Sequence, residues 1–220
     1  MSEPNEYTVT YDLDGQEIKL TLPIVQNFVV NGTGKITLQE YKTFTELCKC
    51  RKLNPFLKEA YLIKSGNASA QIVVGKEAVF KKALRNPNYN GLRSGIIVKT
   101  ENGEIIERKG CFYDIETEKL VGGWAEVYRK DIENPTYCSV AFSEVAQTKA
   151  NGDLNSNWAT RGATMVEKVA KVRALRDTFM EDLDGMYEQE ELGNTKEEPE
   201  VVQQNEPTAT ESKELSMSDL

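Results

Sequence analysis

In a chain of 220 residues the complete absence of histidine excludes Ser-His-Asp and Cys-His hydrolases, His-ligated zinc enzymes and His-dependent nucleases in their usual forms. The formal charge of −8 argues against a nucleic-acid binder only until its distribution is read. From Glu181 onward the chain carries −11, residues 1–180 carry +3, and residues 21–180 carry +7, so a basic body sits between acidic ends.

The length suits one domain plus an appendage, expected at 1–192 and 193–220. Residues 7–22 alternate apolar and polar on both sides of Asp14-Gly15, which predicts a hairpin. A short apolar piece follows Pro23. Gly32 to Thr37 contains a Gly-Lys pair, but Val29 and Ile36 stand where a phosphate loop needs glycine and a hydroxyl. It reads as a turn. Thr37 and Glu40 form a capping box that opens a helix to about Lys52, with Leu38, Tyr41, Phe44, Leu47 and Cys48 inward. Cys48 and Cys50 point about 200° apart on that helix, poor geometry for one metal, and reduced thiols are expected.

Asn54-Pro55 breaks the helix. Strands are expected at 59–64 and 70–74, then a basic helix from Lys76 to Arg85 ended by Asn86-Pro87. Further strands follow at about 92–99, 104–113, 120–130 and 136–142. Gly122-Gly123 in the third of these predicts a bulge or a close backbone approach, and Trp124 beside them reads as core. The fold class is therefore α+β: a small antiparallel sheet with short helices, one long basic C-terminal helix and a disordered acidic tail.

The long helix is read from Asn157 to Gly185, with Asn157, Thr160 and Thr164 as candidate N-caps, a second capping box at Thr164 and Glu167, and a left-handed stop at Gly185. Met165, Val169, Val172, Leu175, Phe179 and Met180 fall on one side. Lys168 lies about 50° from the centre of that side and Arg176 about 30°. Arg161 joins their row if the helix starts early enough, giving three charges along roughly 22 Å, flanked by Lys171 and Arg173. Snorkelling explains Lys168 and Lys171. Arg176 needs a partner, either an internal carboxylate or a bound phosphate.

Taken in order, LNPFLKEAYLIK, QIVVGKEAVFKKALRNPNYNG, GGWAEVYRKDIENPTYCSVAFSEV and the spacing Trp158, Met165, Lys168, Arg176 resemble the RecT/Redβ (recombination protein Bet) family of phage single-strand annealing proteins, over roughly residues 40 to 185. The resemblance implies ATP-independent binding of single-stranded DNA and its pairing to an annealed duplex. It implies a homo-oligomeric ring or helical filament, working beside a phage 5′→3′ exonuclease and the host single-strand-binding protein. No cofactor is required, magnesium being admissible for a duplex intermediate. Lys168 and Arg176 match the family pattern as phosphate contacts and Trp158 as the aromatic before the helix. Gly162 stands where many members have proline. Arg161, Lys171, Arg173, Lys76, Lys81 and Lys82 complete the expected DNA-binding set.

Annealing needs phosphates held and base edges left free, and a basic groove does this without sequence preference. Trp158 could in addition stack a base. Two other readings stand beside this one. A carboxylate-metal nuclease would use Glu101, Glu104, Glu107, Asp114 and Glu116. A structural oligomer would use the cations for salt bridges between subunits. No secretory signal or 18-residue apolar run appears, so a cytoplasmic chain with no membrane partner is expected.

Overall fold

The computed structural model describes residues 7–189. The acidic tail expected over 193–220 lies outside the described residues.

Strands β1 (Thr8–Leu13) and β2 (Gln16–Thr21) pair antiparallel. The φ values of 53° at Asp14 and 83° at Gly15 are the two left-handed positions that a tight turn between right-twisted strands requires. Tyr11, Leu13, Ile18 and Leu20 are buried. The Tyr41 hydroxyl locks the hairpin to the body by donating to the Leu20 carbonyl at 2.8 Å. The apolar piece after it is a helix, α1 (Leu22–Phe28), started by Thr21, whose hydroxyl accepts from Ile24 N–H, and by Pro23 in the first turn. Helix α2 (Leu38–Arg51) has the expected capping box at Thr37 and Glu40. Leu38, expected inward, is exposed at its start.

A second sheet has the order β3-β4-β5, from Val30–Asn31, Ala60–Ile63 and Gln71–Val74, and its β3–β4 pair is parallel. Glu40 of α2 ties itself to this sheet. Its Oε1 accepts from the Lys64 ammonium and from Ala70 N–H, both at 2.7 Å. Burial pushes the Glu40 carboxyl up, but the hydrogen bonds from Lys64 and from the Thr37 and Ala70 amides outweigh it and hold the group down at about 2. A folded-state value below the ordinary 4.5 gives stability that is complete above that pH and is lost as pH falls toward 2. Glu40→Gln is therefore expected to melt below the parent at neutral pH, with the two curves converging as pH is lowered from about 5 to about 2. A constant gap in thermal melts across that window would contradict the assignment.

Helix α3 (Lys76–Arg85) leads into the four-stranded antiparallel sheet β7-β6-β8-β9, formed by Tyr89–Thr100 (β6), Ile105–Lys109 (β7), Glu118–Arg129 (β8) and Thr136–Ala141 (β9). The β6–β8 register slips between the pairs Ile97–Gly122 and Val98–Leu120, which leaves Val121 as the extra residue of a bulge. A Cβ on Gly123 would stand 2.7 Å from the Val166 carbonyl oxygen. That glycine lets the backbone of the long helix press onto the sheet.

After α4 (Phe142–Val145) comes the long helix α5 (Ser156–Thr178), then α6 (Met180–Leu183). Helix α5 runs through the middle of the protein: Val166, Val169, Ala170, Val172, Ala174 and Leu175 are each at most 1% exposed. Its limits differ from expectation. Asn155 is the N-cap, accepting from Trp158 N–H at 3.1 Å. Thr164 and Glu167 lie inside the helix and cap nothing. The helix ends at Thr178 rather than near Gly185, because Arg129 of β8 donates to the Thr178 carbonyl at 2.9 Å and Phe179 turns its ring into the core beside Tyr89. With the helix broken there, Met180 is 64% exposed instead of inward. Gly185 does hold the expected left-handed conformation, φ 76°.

Candidate nucleic-acid interface

The row of charges expected along α5 is broken at its first member. Arg161 has non-helical backbone angles (φ −133°, ψ 30°) and kinks the helix beside Gly162. There a Cβ would meet the Phe142 ring at 2.9 Å. Arg161 then borders a cavity of about 440 Å³ with Leu154, Trp158 and Tyr113, away from Lys168. Trp158 itself is 1% exposed and set edge-on to Phe142, centroids 5.5 Å apart. No base can stack on it in this conformation. Trp124 is core as expected, its N–H donating to the Arg108 carbonyl at 3.1 Å.

Lys168 and Lys171 do share a surface. With Lys76 and Phe80 of α3 they line a groove of about 300 Å³ between the two helices. An adjoining hollow of about 310 Å³ adds Lys58 and Tyr61. Carboxylates face three of these four lysines: Glu77 at 3.8 Å from Lys76, Glu188 at 3.2 Å from Lys168, and Glu167 at 2.9 Å from Lys171. Glu167 also accepts from the Ser94 hydroxyl at 2.8 Å and the Cys111 thiol at 3.2 Å. Burial pushes its carboxyl up, and the hydrogen bonds from Lys171, then Cys111 and Ser94, more than reverse the shift. Cys111, pushed up to about 11 by burial and then by Glu167, stays a thiol and donates. Arg173 points elsewhere, to Glu144 of α4 at 2.9 Å. Arg176 finds partners inside the chain: it donates to the Met186 carbonyl at 3.3 Å and lies over the Tyr187 ring at 4.6 Å.

The other cations of α3 face a different hollow, about 270 Å³, lined by Lys52, Lys81, Lys82 and Arg85 with Glu59 and Asp182. Lys81 pairs with Glu59 and Arg85 with Asp14, both at 2.8 Å. Burial holds the Lys82 ammonium below the ordinary lysine range. Asp182 pulls it back, and Arg51, Arg85 and Lys52 add to the depression. Helix α3 thus separates two lysine-lined hollows. Lys52 and Lys58, which sequence reasoning missed, edge one each, and both have left-handed backbones (φ 49° and 57°).

The acids weighed for a metal centre are spread along β7 and its flanking loops. Glu107 accepts from the Tyr137 hydroxyl at 2.5 Å, and Asp114 accepts from Glu116 N–H and the Thr117 hydroxyl at 3.0 Å each. Among the described residues no three His, Cys, Asp or Glu side chains gather as a metal site. Among them too, no helix is long and apolar enough to cross a membrane.

On this α+β frame, lysines with carboxylates beside them line open grooves on both sides of α3. The RecT family model matches residues 15–203. The chain belongs to the RecT family, the phage single-strand annealing recombination proteins that its motifs resemble. Comparison with curated proteins gives no match.

Proposed function

We propose that the chain binds single-stranded DNA and pairs it with its complement without ATP, the phosphates lying along the groove between α3 and α5. Family membership carries this reading. The groove supports it physically: Lys58, Lys76, Lys168 and Lys171 come from three different parts of the chain to adjoining hollows. The side chains of Lys76, Lys168 and Lys171 keep 46%, 21% and 26% of their surface exposed, so a phosphate can reach them from solvent. Lys81, Lys82 and Arg85 offer a second contact surface across α3. Phosphate contacts fix the strand without reading its sequence, and base edges left outward are free to pair.

One subunit's groove spans few phosphates. Useful affinity then requires linked grooves, hence a ring or helical filament. A 5′→3′ exonuclease would supply the single strand and the host single-strand-binding protein would share it. No cofactor is needed, and magnesium would act only on a duplex intermediate. Filter binding of the purified chain to labelled single-stranded oligonucleotides at low salt tests the reading: salt-sensitive retention is expected across unrelated sequences. Failure to retain any of them would leave the cations as a structural network.

A further inference from the structure

After α6 the chain reverses at Gly185 and recrosses α5, and the returning segment Met186–Gln189 takes up polar groups of β5, of α5 and of the loop before α5, two of which, Val74 and Lys168, line the hollow beside the groove. The Tyr187 carbonyl accepts from Val74 N–H at 2.8 Å, on the free edge of β5. The Gln189 carbonyl accepts from the Gln147 side chain at 3.3 Å. Arg176 donates to the Met186 carbonyl and covers the Tyr187 ring. Glu188 is only 1% exposed, with its carboxylate 3.2 Å from the Lys168 ammonium, in the hollow that Lys58 and Lys76 also line.

A carboxylate so deeply buried is a costly way to fasten a strap. Charge desolvation offsets most of what the pair returns, and an apolar residue would anchor the segment more cheaply. The segment instead reproduces the chemistry of a bound strand: an anion on Lys168 and a flat ring under the Arg176 guanidinium.

Resting on the single-strand reading above, we propose that the Glu188 carboxylate occupies a subsite for a DNA backbone phosphate, and that Met186–Gln189 is its intramolecular occupant. DNA entering the groove displaces the strap. The tether keeps this competitor at high effective concentration, so the parent protein binds DNA more weakly than its cations would allow.

The test uses the full chain, a labelled oligo-dT and fluorescence anisotropy at low salt, with melting curves as the control for folding. Glu188→Gln is expected to bind about fivefold tighter than the parent, the worth of one phosphate contact on a single strand near 0.1 M salt, with the gap closing as salt rises. A folded variant that binds no tighter, beside a parent that does bind, overturns the subsite and leaves the DNA reading standing. No binding by either protein overturns both. A second measurement needs no variant: oligo-dT should speed amide exchange at Val74, whose N–H is held by Tyr187. Unchanged or slower exchange there, at saturating DNA, overturns displacement of the strap.

Discussion

Trp158→Ala is expected to cost about 3–5 kcal/mol of folding stability, the range for emptying a large aromatic site in a core. The side chain is 1% exposed, sits in the first turn of α5 and meets Phe142 edge to face at 77°. Its loss would open a void where the kinked start of α5 is fastened to α4. The indole N–H has no acceptor among the described residues, so Trp158→Phe keeps an aromatic ring without stranding a partner and should cost only a fraction of that. Urea unfolding measures both costs, and an oligonucleotide titration of folded Trp158→Phe should match the parent. An alanine variant of unchanged stability that has lost DNA affinity would return Trp158 to base stacking.

Removing Lys76, Lys168 and Lys171 together is expected to reduce the log K against log salt slope for single-stranded DNA by roughly 2, at roughly 0.7 per contact. Near 0.1 M salt that is about a hundredfold in affinity, and it should be nearly the same for every sequence because phosphate contacts read none. The side chains of Lys168 and Lys171 are partly buried, at 21% and 26% exposure, and that of Lys76 is 46% exposed. The melting temperature should fall as well, because Glu188 and Glu167 are buried carboxylates left with fewer partners, so the affinity is read on the folded fraction. An unchanged salt slope would move the DNA to the hollow of Lys52, Lys81, Lys82 and Arg85 on the other side of α3.

Elements with local punctuation were legible in the sequence. Asp14-Gly15 fixed the hairpin, and Lys76–Arg85 stops where Asn86-Pro87 forbids another turn. Thr37 and Glu40 started α2 by their own hydrogen bonds. Seven residues of α1 carried too little periodicity to separate helix from strand, although Thr21 and Pro23 marked its start. The ends of α5 were out of reach for another reason. Arg129, 49 residues before Thr178, takes the last carbonyl, and the kink at Arg161 depends on how Gly162 packs beneath Phe142. Such long-range contacts leave no local pattern.

The site was legible in part. Helical geometry brought Lys168 and Lys171 to one rim, and it identified Arg176 as a cation that must have a partner near the apolar face. Which partner it has was not written in the helix, because Met186 and Tyr187 lie beyond a break that periodicity carried straight through. Arg161 and Arg173 dropped out of the row through the kink and through Glu144. Gly122 and Gly123, read as a bulge or a close approach, mark one of each: the bulge falls at Val121 beside Gly122, and Gly123 meets the backbone of α5.

The rate of pairing between two complementary oligonucleotides, one fluorescent and one quenched, tests the central claim most directly. The purified full chain, without ATP, is expected to accelerate pairing over the protein-free rate and to lose that advantage as salt rises. Pairing no faster than without protein, or strands cut when magnesium is added, would contradict it.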